Sequence, residues 1–124
     1  SSGLRPTKQR LEICKVLYAR EKTFHFTIEE LSKILKKKSK KSISLATIYN
    51  TVHAFKNKNY LKEISINLNK SYFDTNVSNH HHFFNESTHE LIDLKKTDVE
   101  PIKIKKKIPG KKIKTVEVLV KISD

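Results

Sequence analysis

The sequence predicts an α+β fold, in which an N-terminal winged helix-turn-helix domain over residues 1–75 precedes a small α/β domain over residues 76–124. Three observations carry that reading. Three stretches before residue 58 repeat apolar side chains at helical spacing. Two short strand-like runs then flank Asn67-Leu68-Asn69. The rest of the chain is built of brief segments broken by turn residues. A chain of 124 residues holds one ordinary domain, or two small ones that share an interface.

The first helix is predicted from Thr7 to about Arg20. Ile13 and Leu17, and Cys14 and Tyr18, are i,i+4 pairs, and Pro6 stands just before the first turn. Thr27 followed by Glu30 is a capping box for a second helix, whose buried stripe is Ile28, Leu31, Ile34 and Leu35. That helix gives way to a basic connector over residues 36–41. Ser44 is a good N-cap for a third helix running to about Asn57. Its inward stripe is Leu45, Ile48, Val52 and Phe55, which leaves Thr47, Tyr49, Asn50 and His53 pointing away. Leu61–Asn67 and Lys70–Asp74 read as a hairpin wing. Residues 80–85 and 90–94 read as paired strands with Ser87-Thr88 near the turn. Pro101, Pro109 and Gly110 keep residues 95–112 extended, with one short helical turn around Thr97–Glu100. The last strand, Lys114–Ile122, puts Val116, Val118, Val120 and Ile122 on one face. So small a sheet leaves that face uncovered, which predicts a two-fold homodimer.

The formal net charge is +13 and is unevenly placed. Residues 1–62 hold fifteen Lys and Arg against four acids; residues 63–124 hold eleven against nine. Within 70–100 the acids outnumber the lysines six to three. A basic first half joined to a mildly acidic middle suggests a polyanion-binding domain attached to one that holds cations. A composition rich in Lys, Asn and Ile is the bland alternative. The outward face of the third helix favours nucleic acid. Tyr49 and Asn50 are placed to read bases, Asn against adenine and the aromatic ring against a thymine methyl. Ser44 and Thr47 are placed to bond phosphate, Arg5 to enter the minor groove, and Lys8, Lys15 and the lysines of 36–41 to supply salt-dependent affinity. The expected partner is double-stranded DNA with an AT-rich inverted repeat.

Other classes recede. Gly3 and Gly110, the two glycines, cannot compose a phosphate-binding loop. No apolar run nears the roughly 18 residues of a membrane span, so a cytoplasmic address without a membrane partner is expected. Cys14 is the one cysteine, which excludes an internal disulfide and a paired-cysteine zinc clamp. On a helix stripe it reads as core. A metal-dependent hydrolase would need a nucleophile or general base of its own, and none stands out, so the chain is not expected to be an enzyme.

The chemistry-bearing motif is His80-His81-His82. In a strand, His80 and His82 face one side and His81 the other. Asp74 lies six residues before His80 and Asp93 eleven after His82, so a turn or hairpin can bring carboxylates to two imidazoles. Nitrogen and oxygen donors without thiolate suit Fe2+ or Mn2+, with Zn2+ as the ion of a purified sample. The alternative for a bare histidine run is a solvated loop.

Leu4-Arg5-Pro6-Thr7-Lys8-Gln9-Arg10 and Ser44-Leu45-Ala46-Thr47-Ile48-Tyr49-Asn50, with the histidine run downstream, resemble the ferric uptake regulator (Fur) family over nearly the whole chain. Tyr72-Phe73-Asp74-Thr75-Asn76, the run from His80 to Phe84, and Glu90-Leu91-Ile92-Asp93 resemble its iron response regulator (Irr) branch. Asn50, where many members carry arginine, fits that branch. The resemblance implies a dimeric transcriptional regulator of iron and haem metabolism. It carries a sensor site onto His25, Asp74, His80, His82 and Asp93, and makes haem a second candidate effector, bound by a histidine from His80, His81 and His82. A peroxide- or divalent-metal-responsive repressor of the same family is the alternative. The structural zinc of many members has no ligands here: Asn85-Glu86-Ser87-Thr88 stands where a cysteine pair is usual. The Cys-Pro haem motif of some Irr proteins is absent too, since Lys15 follows Cys14.

Overall fold

A computed structural model describes residues 7–38, 42–78 and 80–124, and the chain divides into two units, Ser1–Val77 and Ser78–Asp124. In the first unit, helix α1 (Lys8–Tyr18) starts at Thr7, whose hydroxyl oxygen accepts from the Arg10 N–H at 3.1 Å. It stops short of the expected Arg20, because the backbone leaves helical geometry at Ala19. Arg20 instead folds back: its Nε donates to the Val16 carbonyl at 3.0 Å, and its guanidinium lies 3.6 Å from the Phe24 ring centre.

A two-residue strand, β1 (His25–Phe26), precedes α2 (Ile28–Lys38). So short a strand leaves no period to read in the sequence. The capping box forms with both arms: Thr27 N–H donates to Glu30 Oε1 at 3.3 Å, and Glu30 N–H to Thr27 Oγ1 at 3.1 Å. The helix runs on through Lys38 rather than dissolving at Lys36, since basic side chains suit the negative end of the helix dipole. Thr27 is buried, and Thr27→Ala is expected to lower stability by about 1 kcal/mol. A urea midpoint equal to the wild type's would show that the box contributes nothing.

Helix α3 (Leu45–Asn57) is capped by Ser44, whose Oγ accepts from the Thr47 N–H at 3.1 Å. Leu45 does not belong to the buried stripe: it is 56% exposed. Ile43, just before the cap, takes the inward place and joins Ile48 in the core, the arrangement of a hydrophobic staple. Strands β2 (Lys62–Asn67) and β3 (Lys70–Asp74) form the hairpin, with Asn67 Oδ1 accepting from the Asn69 N–H at 2.9 Å in the turn. β1 pairs with the other edge of β3, giving the antiparallel order β1-β3-β2. Ile13 and Leu17 from α1, Leu31 from α2, Ile48 and Val52 from α3, and Phe26 and Phe73 from the sheet share one core.

In the second unit β4 (His81–Asn85) is the middle strand, antiparallel to β5 (Glu90–Leu94) and parallel to β6 (Leu119–Ile122). A short 3-10 turn, Lys96–Asp98, falls near the expected place. Chain without helix or strand follows as far as a reverse turn, where Lys111 N–H donates to the Ile108 carbonyl at 3.1 Å and Gly110 takes φ +74° at no steric cost. β6 is shorter than the expected Lys114–Ile122. Before it, Val118 closes on the start of β4 at two points. Its carbonyl accepts from the His82 N–H at 3.1 Å, and its N–H donates to His81 Nδ1 at 3.0 Å. Val116, Val118, Val120 and Ile122 are all half-buried while Glu117 and Lys121 are exposed, as the alternation requires, and Leu119 is half-buried as well. Among the described residues no helix is long and apolar enough to cross a membrane.

Candidate metal centre and reading helix

The second unit brings His80, His82 and Asp93 together. His82 and Asp93 are directly opposite one another in the β4–β5 ladder, and His80 stands just before β4. The imidazoles lie 4.3 Å apart between ring centres. Both Nε2 atoms approach one carboxylate oxygen, Asp93 Oδ1, His80 at 3.4 Å and His82 at 3.2 Å. His82 and His80 are buried, whereas Asp93 reaches solvent.

Backbone contacts decide which ring nitrogens can act as ligands. His80 Nδ1 lies 2.8 Å from the Ser78 carbonyl. A carbonyl only accepts, so Nδ1 carries the proton and a neutral ring keeps its lone pair on Nε2, facing Asp93. This is the second-sphere arrangement that orients metal-binding histidines. Two ring nitrogens around an anionic oxygen call for a proton or a cation among them. The donor set, two imidazoles and a carboxylate without sulfur, fits Fe2+, Mn2+ or Zn2+. His81 behaves differently. Its Nδ1 accepts the Val118 N–H, so a neutral ring has its proton on Nε2 and no lone pair there for iron. Its first duty is structural.

The first unit holds the other two expected donors. His25 and Asp74 are partners across the β1–β3 pairing. The His25 ring meets Tyr72 edge-on at 6.2 Å, and Asp74 is 1% exposed, with Oδ1 accepting from the Asn76 N–H at 2.9 Å. The short β1 strand places His25; the Ser78 carbonyl orients His80. Neither had a sequence signal, because one is two residues long and the other is backbone.

On α3, Tyr49 is 51% exposed and Asn50 is exposed. Ser44 and Thr47 are engaged with each other, the Ser44 hydroxyl donating to Thr47 Oγ1 at 2.8 Å. Lys8, Lys15 and Lys36 to Lys38 are exposed, while Arg5 and residues 39–41 lie outside the described residues. The Cys14 thiol is pushed up by burial, which suits a core side chain rather than a thiolate ligand. His53 is the residue whose part the sequence did not disclose: its ring lies 4.2 Å from that of Tyr49.

Three helices with a three-stranded wing define a winged-helix class of protein, and the second unit's sheet carries two imidazoles against one carboxylate, a donor group that could hold a metal ion. The chain belongs to the Ferric uptake regulator family, whose profile matches residues 1–123. It is 34% identical over 93 residues to the peroxide-responsive repressor PerR of Staphylococcus epidermidis, covering 75% of this chain and 60% of that one. The chain thus spans about 60% of the length of the curated relatives it matches. Its fold is similar to the ferric uptake regulator from Pseudomonas aeruginosa with manganese (TM-score 0.72, 18% identity, 99% of this chain and 92% of that). The Vibrio cholerae ferric uptake regulator is similar too (TM-score 0.72, 22% identity, 99% and 94%).

Proposed function

We propose that this chain is a dimeric, metal-responsive regulator of transcription that reads DNA through α3 and is governed by Fe2+ or Mn2+. The observation that carries the reading is the pair of buried imidazoles converging on Asp93 Oδ1. It stands in the same chain as a basic first half with an outward Tyr49 and Asn50. His80, His82 and Asp93 would hold the ion, with Asp74 and His25 as further donors. The tether from Asp74 to His80 is six residues, a reach of at most about 20 Å. Donors from both domains would let the bound cation, as a Lewis acid, bias the setting of the reading head. Tyr49 and Asn50 would contact bases of an AT-rich inverted repeat; Ser44, Thr47, Lys8, Lys15 and Arg5 would contact its backbone and minor groove. Ile92, Ile102, Ile104, Ile108 and Ile113 are exposed in the second unit, apolar surface that a homodimer would cover. A cytoplasmic regulator, without catalysis, fits this reading.

A small cation fits these residues better than haem. His80 and His82 are buried and His81 Nδ1 is committed to the Val118 N–H, so the three histidines that would hold a haem iron offer it little open surface. The Irr-like string from Tyr72 to Asp93 is what supports haem and iron homeostasis, and a Soret band on haem titration would favour that branch. Similarity to the peroxide-responsive repressor favours a second version of the same switch, in which peroxide treatment of the Fe2+-loaded protein releases DNA.

Fluorescence anisotropy of the full chain tests the main reading. With Mn2+, an AT-rich inverted repeat is expected to bind about 1,000-fold more tightly than a scrambled duplex, and a chelator is expected to abolish the difference. Equal affinity for both duplexes overturns the reading.

A further inference from the structure

We propose that His53 is a positioning residue for base recognition: its imidazole holds the Tyr49 ring in the orientation that meets DNA. The inference rests on the reading of α3 as the recognition helix. An exposed aromatic side chain on a helix ordinarily samples several rotamers. Tyr49 is 51% exposed, yet its ring is not left to itself. His53 follows four residues later, on the same face of α3, and the ring centres are 4.2 Å apart with planes inclined by 38°.

His53 is in turn braced. It is half-buried, and its ring meets Phe73 of β3 edge-on at 5.7 Å and 78°. Phe73 is 2% exposed and has the Phe26 ring stacked at 6.0 Å. A continuous line of rings therefore runs from the core of the unit, through the wing strand, to the outer face of α3. The core end cannot move without opening a cavity, so the stack fixes the outer end against a rigid base. A side chain ordered before binding loses less rotamer freedom when it docks, and the same contact then discriminates better between bases. Alanine at 53 removes the brace while leaving Tyr49 in place. A phenyl ring at 53 keeps a flat surface of similar size.

A double-mutant cycle on the full chain tests this, reading the ratio of affinities for the AT-rich inverted repeat and a scrambled duplex. A ratio is used because a merely destabilised protein weakens both alike. His53→Ala is expected to lower it by about 2- to 10-fold, the scale of one aromatic contact. His53→Phe is expected to restore it. In a Tyr49→Ala background, His53→Ala is expected to change nothing further. If Tyr49→Ala alone leaves the ratio unchanged, base reading by Tyr49 fails and the inference fails with it, while base reading by Asn50 is untouched. If Tyr49→Ala lowers the ratio but His53→Ala does not, the positioning role is overturned while base reading stands. An equal loss from His53→Ala with and without Tyr49 overturns it in the same way.

Discussion

His82→Ala is expected to reduce Mn2+ affinity by well over 100-fold, since loss of an outer-sphere partner alone costs about 10–100-fold. His82 Nε2 lies 3.2 Å from Asp93 Oδ1, and the ring is 3% exposed, so water cannot easily replace the lost nitrogen. The informative control is its neighbour. His81→Ala deletes the acceptor of the Val118 N–H and so loosens the attachment of β6 to β4. It is expected to cost about 1–3 kcal/mol of stability through an unsatisfied donor, with cation affinity kept. Calorimetric Mn2+ titration of both folded variants separates the two roles. Equal losses of affinity, or an His82→Ala protein that binds like the wild type, would sink the assignment of the centre.

That contrast also shows what a sequence can disclose about such a site. The alternation of a strand is enough to put His82 and His81 on opposite faces, and a hairpin is enough to bring Asp93 opposite His82. The tautomer is another matter. It depends on the Ser78 carbonyl at His80 and on the Val118 amide at His81, and backbone groups carry no residue identity. The helices were legible because caps and stripes are local: Thr27 with Glu30, and Ser44 with Thr47, both form as their spacing requires. Leu45 misled because it looks like the first member of a stripe, whereas the entry of the chain into α3 lets Ile43 fill that space. β6 was overextended for a related reason. Alternating valines signal a strand without saying where its partner ends, and β4 offers pairing only from His82 to Asn85.

The same dependence on long-range packing makes Phe26→Ala the substitution with the largest expected effect on stability. β1 is two residues long and has little ladder of its own. It is held by Phe26, which is 0% exposed, stacked on Phe24 at 5.4 Å and on Phe73 at 6.0 Å. Beside it, Thr75 N–H donates to the Phe24 carbonyl at 3.0 Å, and Phe24 N–H to Thr75 Oγ1 at 2.9 Å. Removing a buried phenyl ring costs about 3–5 kcal/mol, against a total stability of about 5–15 kcal/mol for a natural domain. Strand β1 would lose its anchor, and His25 its fixed place opposite Asp74. Leu11→Ala, on the exposed face of α1, is the matched reference, with an expected change within about 0.5 kcal/mol. Urea unfolding followed by far-UV circular dichroism decides the matter. If the Phe26→Ala midpoint coincides with that of Leu11→Ala, the aromatic stack does not hold β1, and the bracing of His53 through Phe73 loses its foundation as well.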